Sequence, residues 1–462
     1  MTMLLDTVLL SRIQFAFTIS FHILFPAFSI GLSMFLAVME GMWLKTKNPL
    51  YLKICKFWTK IFALTFGMGV VSGVVMEFQF GTNWSGFARV VGGVLGALFT
   101  YEVMTAFFIE AGFLGVMLFC WNRVGPKLHY FATLLVTVGT TISAFWIMTA
   151  NSWMQHPVGF QEINGVFTAT SWKAILLNPI NFPRFTHMLM ASYICTAFVI
   201  ISISAFYLLK QRHLPFAKKC YSFIWGALLI LMPLQIFLGD MTGLVVHEYQ
   251  PIKTAAMEGV WNTQAGAPYL IFAIPNQTLQ KNEWAIQVPH IAALINTHEW
   301  NGKLMGLKAV PEIDQPKVLP VFFAFRIMLY VGFGMLGLTL LALYLRIKGK
   351  LFDTRWFLKL SLFSAPLGFI ALWCGWITAE LGRQPWVVYH YLRTVDAASA
   401  VPLHDVIISF ALILIVYGVI FGFFYFYFLN KMIKKGPAES EQPHVTDQPF
   451  QYMGASSSED KL

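Results

Sequence analysis

The chain has 462 residues, of which 57% are hydrophobic and only 12% are charged, whereas roughly 25% of the residues in soluble domains are charged. A mean hydropathy of +0.64 excludes an ordinary soluble protein and indicates a multispanning membrane protein. The formal charge of +10 falls in short clusters between apolar segments, where basic residues set membrane topology, so we expect no nucleic-acid partner.

The chain begins with MTMLLDTVLLSRI, which lacks a basic region and a small-residue cleavage site, so we expect no removable signal peptide. Nine apolar segments follow that are long enough to span a bilayer, since roughly 20 residues are needed. They run at about residues 12–42, 54–80, 90–121, 128–154, 185–209, 220–244, 320–345, 357–382 and 404–430. The sequence therefore predicts an all-α, polytopic integral membrane bundle of about nine transmembrane helices.

Basic residues cluster in alternate connections, near residues 45–56, 123–127, 210–219, 346–355 and 431–435. The other connections carry few, and cytoplasmic loops are the ones enriched in Lys and Arg. We therefore expect an extracytoplasmic N-terminus and a cytoplasmic C-terminus.

The same pattern divides the chain into four parts. Residues 1–244 would carry helices one to six, residues 320–435 helices seven to nine, and residues 245–319 a long polar extracytoplasmic loop. Long loops often form binding sites or lids. Residues 436–462 are polar and predict a disordered cytoplasmic tail.

The five cysteines lie in or next to apolar segments without C-x-x-C spacing. This pattern argues against a disulfide framework or a zinc site, and it is typical of packing residues.

Four side chains inside the apolar segments have the chemistry of metal ligands. His22, His187 and Met328 lie in helices that enter from outside, and Glu380 lies in a helix that returns there. Imidazole and thioether groups are the axial ligands of low-spin haems. Packing is the ordinary role of a single methionine, and a hydrogen-bonded histidine is the alternative for each imidazole.

Glu102 and Glu110 lie in the third segment, in YEVMTAFFIEAG. In an α-helix they would be about 12 Å apart along the axis and roughly 80° apart around it, so they could not touch but could border one polar cavity. Glu110 would lie nearer the cytoplasm. Intramembrane carboxylates in series favour a proton relay. Two structural carboxylates bonded to neighbouring helices are the alternative.

Two arginines accompany these groups. Glu380 and Arg383 are three residues apart in TAELGRQPW, which allows a local ion pair. Arg326 precedes Met328 by two residues and so points roughly 200° away from it. We expect Arg326 to reach toward a haem propionate or the membrane interface.

Seven motifs resemble subunit I of the cytochrome bd-type quinol oxidases, and the similarity runs to about residue 430. They are SRIQFAFTISFHILF, YEVMTAFFIEAG, NSWMQHPVG, FTHMLMASY, GDMTGLVVHEYQPIKTAAMEG, FRIM and GWITAELGRQPW. The loop lacks the insert of the long-loop members, so the chain is similar to the short-loop branch, which includes oxidases described as cyanide-insensitive.

The resemblance implies three haems. His187 and Met328 would ligate a low-spin haem b. His22, Glu102 and Glu380 would serve a high-spin haem b and the oxygen-reducing haem, which is haem d or a third haem b. Trp376 and Arg383 match further haem-site positions of the family.

The resemblance also implies roles in catalysis. Glu110 would pass protons from the cytoplasm, and Glu102 would receive them where dioxygen is reduced to water. Lys253 and Glu258, in the long loop, would act in the oxidation of ubiquinol or menaquinol at the outer face. Charge would cross the membrane without a proton pump.

The implied setting is the bacterial inner (cytoplasmic) membrane. Its partners would be lipid, an oxidase subunit II and a small single-helix subunit in some members. A haem-copper oxidase is disfavoured because no two histidines are adjacent. An ion-coupled membrane transporter would also explain the intramembrane carboxylates, and a purely structural membrane subunit is a third class.

Overall fold

The computed structural model describes residues 2–438, with side chains from Thr7 onward except at Phe107. The tail predicted at 436–462 lies, apart from its first three residues, outside the described residues.

The described chain is mostly helical. The helices of its first half are α1 Thr2–His22, α2 Leu24–Thr46, α3 Pro49–Thr82, α4 Ser85–Met104, α5 Gly112–Phe119, α6 Pro126–Gln155, α7 Trp172–Leu176 and α8 Asn181–Leu209. Those of the second half are α9 Leu214–Tyr249, α10 Pro251–Glu258, α11 Ile291–Thr297, α12 Val318–Ile347, α13 Arg355–Leu362, α14 Ala365–Leu381, α15 Leu403–Ile413 and α16 Gly422–Lys435. Two π-helical segments, Thr105–Ala111 and Leu414–Phe421, join α4 to α5 and α15 to α16.

Strands occur only as short antiparallel pairs in the described part of the chain. They are β1 Phe160–Ile163 with β2 Val166–Ala169, β3 Gln264–Ala265 with β6 Lys303–Leu304, β4 Tyr269–Asn276 with β5 Lys281–Val288, and β7 Trp386–Val388 with β8 Leu392–Arg393. None of these pairs forms a larger sheet.

The membrane spans agree with the prediction of about nine helices. Eight helices of the described chain are long and apolar enough to cross a bilayer, and α13 with α14, bent by 40°, form a ninth if they count as one span. The first span, Thr7–Thr46, breaks at Ile23 because Pro26 has no N–H to offer the His22 carbonyl. The direction in which the spans cross remains a prediction.

The main core lies among α2, α3, α8 and α9, around fully buried aromatic side chains such as Trp58, Phe198 and Tyr221. Helix α8 also packs against α14, and α12 packs against both α9 and α14. Helices α8, α9, α12 and α14 therefore form a ring in which each helix packs against two of the others.

The long loop is folded. Helix α9 continues to Tyr249 and α12 begins at Val318, so the loop is a few residues shorter than the predicted 245–319. It holds α10, the β4–β5 hairpin and α11, and its buried apolar residues pack on the N-terminal end of α12. Its role as a binding loop stays a prediction.

Candidate functional site

Glu102 and Glu110, the two carboxylates predicted to carry protons, both lie against helix α6. A Cβ atom at Gly139 would come within 2.9 Å of the Glu110 Cγ, so glycine makes room for that side chain. One turn along α6, Ser143 donates a 2.9 Å hydrogen bond to Glu102 Oε1 and also adjoins the Glu110 carboxyl. Glu110 is buried, and its Oε1 has no hydrogen-bond partner among the described residues. The two carboxylates therefore border one hydroxyl group.

The π-helical segment lies between the two glutamates. Its i→i+5 bonding holds more residues per turn than an α-helix, so the predicted angular separation of roughly 80° does not apply. Both carboxyl groups instead face α6. π-Helical turns occur frequently at functional sites.

A third carboxylate, Glu77 of α3, was not among the predicted site residues. It lies close enough to Glu102 for the two charges to interact. The sequence did carry a signal for it, since Glu77 is an acid within an apolar segment in VVMEFQF.

His22 ends α1 at the helix break. Ser72 Oγ lies 2.9 Å from its Nδ1, which leaves Nε2 as the nitrogen able to ligate a metal. A Cβ at Gly73 would lie 3.1 Å from the imidazole, so α3 leaves space beside the ring. This donor arrangement fits a haem ligand.

His187 and Met328 lie on different helices of the four-helix group. The Gln235 side-chain nitrogen is 3.3 Å from both ring nitrogens of His187 and is therefore in line with neither. A Cβ would lie 3.2 Å from His187 at Gly239 and 3.0 Å from the Met328 sulfur at Gly375. The His187 imidazole has no well-aligned hydrogen-bond partner, and glycines leave room beside both His187 and Met328. An imidazole and a thioether with this free space fit a low-spin haem site.

Glu380 is the centre of a buried polar cluster at the end of α14. Arg383 donates to its Oε2, which is the ion pair predicted from the spacing. Asn151 and Gln155 of α6 donate to Oε1 at 2.9 Å and 3.1 Å. Trp376, one turn earlier on α14, is partly buried.

Positive charge exceeds negative charge in this cluster. Arg184, which donates to Asn151 Oδ1 at 2.6 Å, joins Arg383 and Lys253 around Glu380. The Nε and Nη1 atoms of Arg383 are buried without hydrogen-bond partners among the described residues. Unpaired guanidinium donors and surplus positive charge fit an anionic group such as a haem propionate.

Lys253 and Glu258 lie on α10, and the structure gives them different neighbours. The Lys253 ammonium donates to Gln155 Oε1 at 2.5 Å and to Gln250 Oε1 at 2.6 Å. Burial first, and then the nearby Arg184 and Arg383, hold the pKa of Lys253 well below its ordinary value. The adjoining cavity of about 60 Å³ is too small for a ligand of quinol size, so access to Lys253 needs movement of the loop.

Glu258 pairs with Arg326, an interaction that the sequence analysis did not foresee. Their closest atoms are 2.7 Å apart, and both side chains are 2% exposed or less. Asn296 donates to the other carboxylate oxygen at 3.1 Å, and Arg326 Nε donates to the Leu270 carbonyl at 2.7 Å. Arg326 therefore joins α12 to the loop, where the sequence had suggested a propionate or the membrane interface.

A second buried pair lies at the opposite end of the bundle. His129 Nδ1 is 2.6 Å from Glu40 Oε1, and Thr133 donates to Glu40 Oε2 at 2.7 Å. The other ring nitrogen is 3.2 Å from the Met117 carbonyl near the end of α5. The pair thus fixes α2, α5 and α6 to one another.

The predicted metal ligands lie in two groups of helices. Among the described residues no group of three or more His, Cys, Asp or Glu side chains could hold a metal ion. His22 and Glu102 face α3 and α6, whereas His187, Met328 and Glu380 belong to the other group of helices.

The fold and the site define a polytopic membrane protein whose interior carries buried carboxylates together with histidine and methionine side chains. The family profile described as cytochrome bd terminal oxidase subunit I matches residues 10–437, and the chain belongs to this family.

Curated relatives match along almost the whole chain. Cytochrome bd ubiquinol oxidase subunit 1 of Bacillus subtilis is 36% identical, with 98% of this chain and 100% of the relative covered. Cytochrome bd-II ubiquinol oxidase subunit 1 of Escherichia coli is 34% identical over 95% of this chain and 99% of the relative. A chain in the solved structure of bd oxidase from Geobacillus thermodenitrificans aligns with a TM-score of 0.86 at 28% identity. The alignment covers 94% of this chain and 99% of that chain. None of these matches supports the transporter alternative.

Proposed function

We propose that this chain is the haem-bearing subunit of a terminal quinol oxidase, a quinol:oxygen oxidoreductase that reduces dioxygen to water. The observation that carries the proposal is the pair of glutamates that flank Ser143 inside the bundle of a family member. The relatives from Escherichia coli and Bacillus subtilis are named ubiquinol oxidases.

The residues proposed to hold the haems are those that the family resemblance implies, and the arrangement of donors described above supports them. His187 and Met328 would take a low-spin haem b, and Arg383 and Trp376 would border a haem site. His22, Glu102 and Glu380 would serve a high-spin haem b and a second high-spin haem, either haem d or haem b. Bound haem supplies one-electron transfer and the activation of dioxygen.

Glu110, Ser143 and Glu102 would move protons from the cytoplasmic side. The buried Glu110 carboxyl can hold a proton, the Ser143 hydroxyl both accepts and donates, and Glu102 receives the proton at the inner end of the series. Because residue 139 is glycine, the Glu110 side chain has room to lie against α6.

The folded loop would oxidise ubiquinol or menaquinol at the outer face. A carboxylate near a quinol hydroxyl can accept its proton, and Glu258 is the buried carboxylate of α10. Because Glu258 is paired with Arg326, the loop would open to expose it. Protons released outside and taken up inside would make the reaction electrogenic without a pump.

The proposed setting is the bacterial inner membrane, with the C-terminus in the cytoplasm, and the chain would resemble the short-loop branch of the family. An oxidase subunit II, and in some complexes a single-helix subunit, would cover exposed apolar helix faces such as that of α15 and α16.

Oxygen uptake by the purified complex, driven by a soluble quinol, tests this function. We expect Glu110→Gln to slow turnover while the haem content per chain stays the same, because the amide cannot carry the proton. Loss of haem in that variant would make Glu110 a structural residue instead. Absence of quinol-dependent oxygen uptake by the unaltered complex would refute the oxidase function.

A further inference from the structure

The outer ends of α9 and α12 mark one boundary of the membrane. Basic residues at Arg346 and Lys348 fix the cytoplasm-facing end of α12, and a span of roughly 20 residues back from Leu345 reaches Arg326. On α9, the same span counted from Cys220, just after Lys219, ends beside Asp240.

Two pieces of the long loop lie at this level. The hairpin base joins α12 through Arg326, which donates to Leu270, and through Tyr330, which donates to the Ile271 carbonyl. Helix α11 joins α9 where His298 Nε2 lies 3.1 Å from Asp240. The hairpin and α11 are thus held at the bilayer edge by different helices.

Both pieces expose apolar side chains at that level. These residues are Ile271, Phe272, Ile286 and Val288 of the hairpin and Leu294 and Ile295 of α11. On the hairpin the exposed surface continues that of α12, since the rings of Phe272 and Phe323 lie 6.1 Å apart.

The charges of the hairpin are kept away from the boundary. Lys281 and Glu283 pair with Asn276 and Ile274 near the tip, whereas the base pairs Phe272 with Ile286 and Tyr269 with Val288. Trp284, 81% exposed, stands between the charged and the apolar parts. Tryptophan and tyrosine side chains are enriched where a membrane meets water.

We propose that the base of the β4–β5 hairpin and helix α11 form an interfacial anchor whose occupant is the lipid of the adjacent leaflet. The continuity with the exposed face of α12 and the position of the charges favour lipid over water. The anchor keeps the loop in the layer into which lipid-soluble molecules partition. This inference depends on the membrane spans and not on the quinol chemistry.

Site-directed fluorescence quenching in lipid nanodiscs tests the anchor. A single cysteine at Ile286 or Ile295, on two different elements, carries an NBD label in a background with Cys120 and Cys374 replaced by alanine. The remaining three cysteines are buried. Ile313→Cys is the matched control, because this isoleucine is 72% exposed and lies five residues before α12 begins. The purified complex keeps all of its subunits.

Each labelled complex is quenched by a phospholipid with a nitroxide high on its acyl chain and, separately, by aqueous iodide. We expect the lipid quencher to act severalfold more strongly than iodide at Ile286 and Ile295, and the reverse at Ile313. Iodide quenching at Ile286 and Ile295 equal to that at Ile313 would overturn the proposal. Protection from both quenchers at both positions would also overturn it, because a protein partner would then cover the surface. If one cysteine variant does not assemble, the other element still decides.

Discussion

Replacement of Glu258 by glutamine tests how the loop is held on the bundle. Glu258 and Arg326 form an ion pair with side chains 1% and 2% exposed, and Asn296 supplies a further hydrogen bond. The substitution keeps the shape and one acceptor but leaves the Arg326 charge buried without its counterion. We therefore expect α10 and the base of β4 to open more readily.

The size of the effect follows from the burial. Removing one partner of a buried pair costs about 3–5 kcal/mol, and the remaining amide oxygen places this change near the lower value. Since 1.4 kcal/mol is a factor of ten in an equilibrium constant, a loss of about 3 kcal/mol corresponds to a roughly 100-fold larger equilibrium constant for opening. Hydrogen–deuterium exchange of the amides of α10, Pro251–Glu258, measures this opening directly.

Two variants serve as controls. Glu299→Gln removes an exposed carboxylate from the same loop and should leave exchange in α10 unchanged. Adding Arg326→Met to Glu258→Gln removes both charges and should recover much of the protection, because no charge is then left unpaired. A change of less than about tenfold in Glu258→Gln would refute the account of how the loop is held.

Three other substitutions test separate parts of the molecule. Gly139→Val should lower oxygen uptake, because the larger side chain would displace the Glu110 side chain. Gly96→Ala should leave oxygen uptake unchanged, because Gly96 has open space around it. Equal activities of the two variants would contradict the close packing of Gly139 against Glu110. His129→Ala should lower the thermal midpoint, because it leaves Glu40 buried without its partner at a cost of about 3 kcal/mol; an unchanged midpoint would count against this. Lys253 has a folded-state pKa below its unfolded value, so the unfolded chain binds more protons and its contribution to stability rises with pH until both states are deprotonated. Lys253→Met should therefore gain most in stability at the acidic end of the range and progressively less as the pH rises toward the ordinary pKa of lysine, in melts recorded across pH, and a gain independent of pH would contradict the lowered pKa.

Much of the fold could be predicted because membrane spans have a strong local signature. The apolar segments gave the number of helices and their approximate bounds, since a span needs an unbroken run of apolar residues. Local spacing also sufficed for the Glu380–Arg383 pair, which is confirmed. The folded interior of the long loop left no such signature.

Contacts between distant segments could not be predicted. Arg326 and Glu258 are separated by 68 positions, and no local pattern in either segment predicts that the two side chains form a pair. The shared neighbour of Glu102 and Glu110 was also missed, because Ser143 lies on another helix and a π-helical turn changes the faces of the third span. The assignment of haem and quinol residues stays a prediction for the same reason, since it depends on groups that several helices enclose together.

The dithionite-reduced minus oxidised absorption spectrum of the purified complex, with and without carbon monoxide, tests the central claim most directly. We predict b-type haem bands together with a signal that shifts with carbon monoxide. A red chlorin-type band would identify haem d at the oxygen site, and b-type bands alone would identify haem b there. A complex without any haem signal would contradict the account.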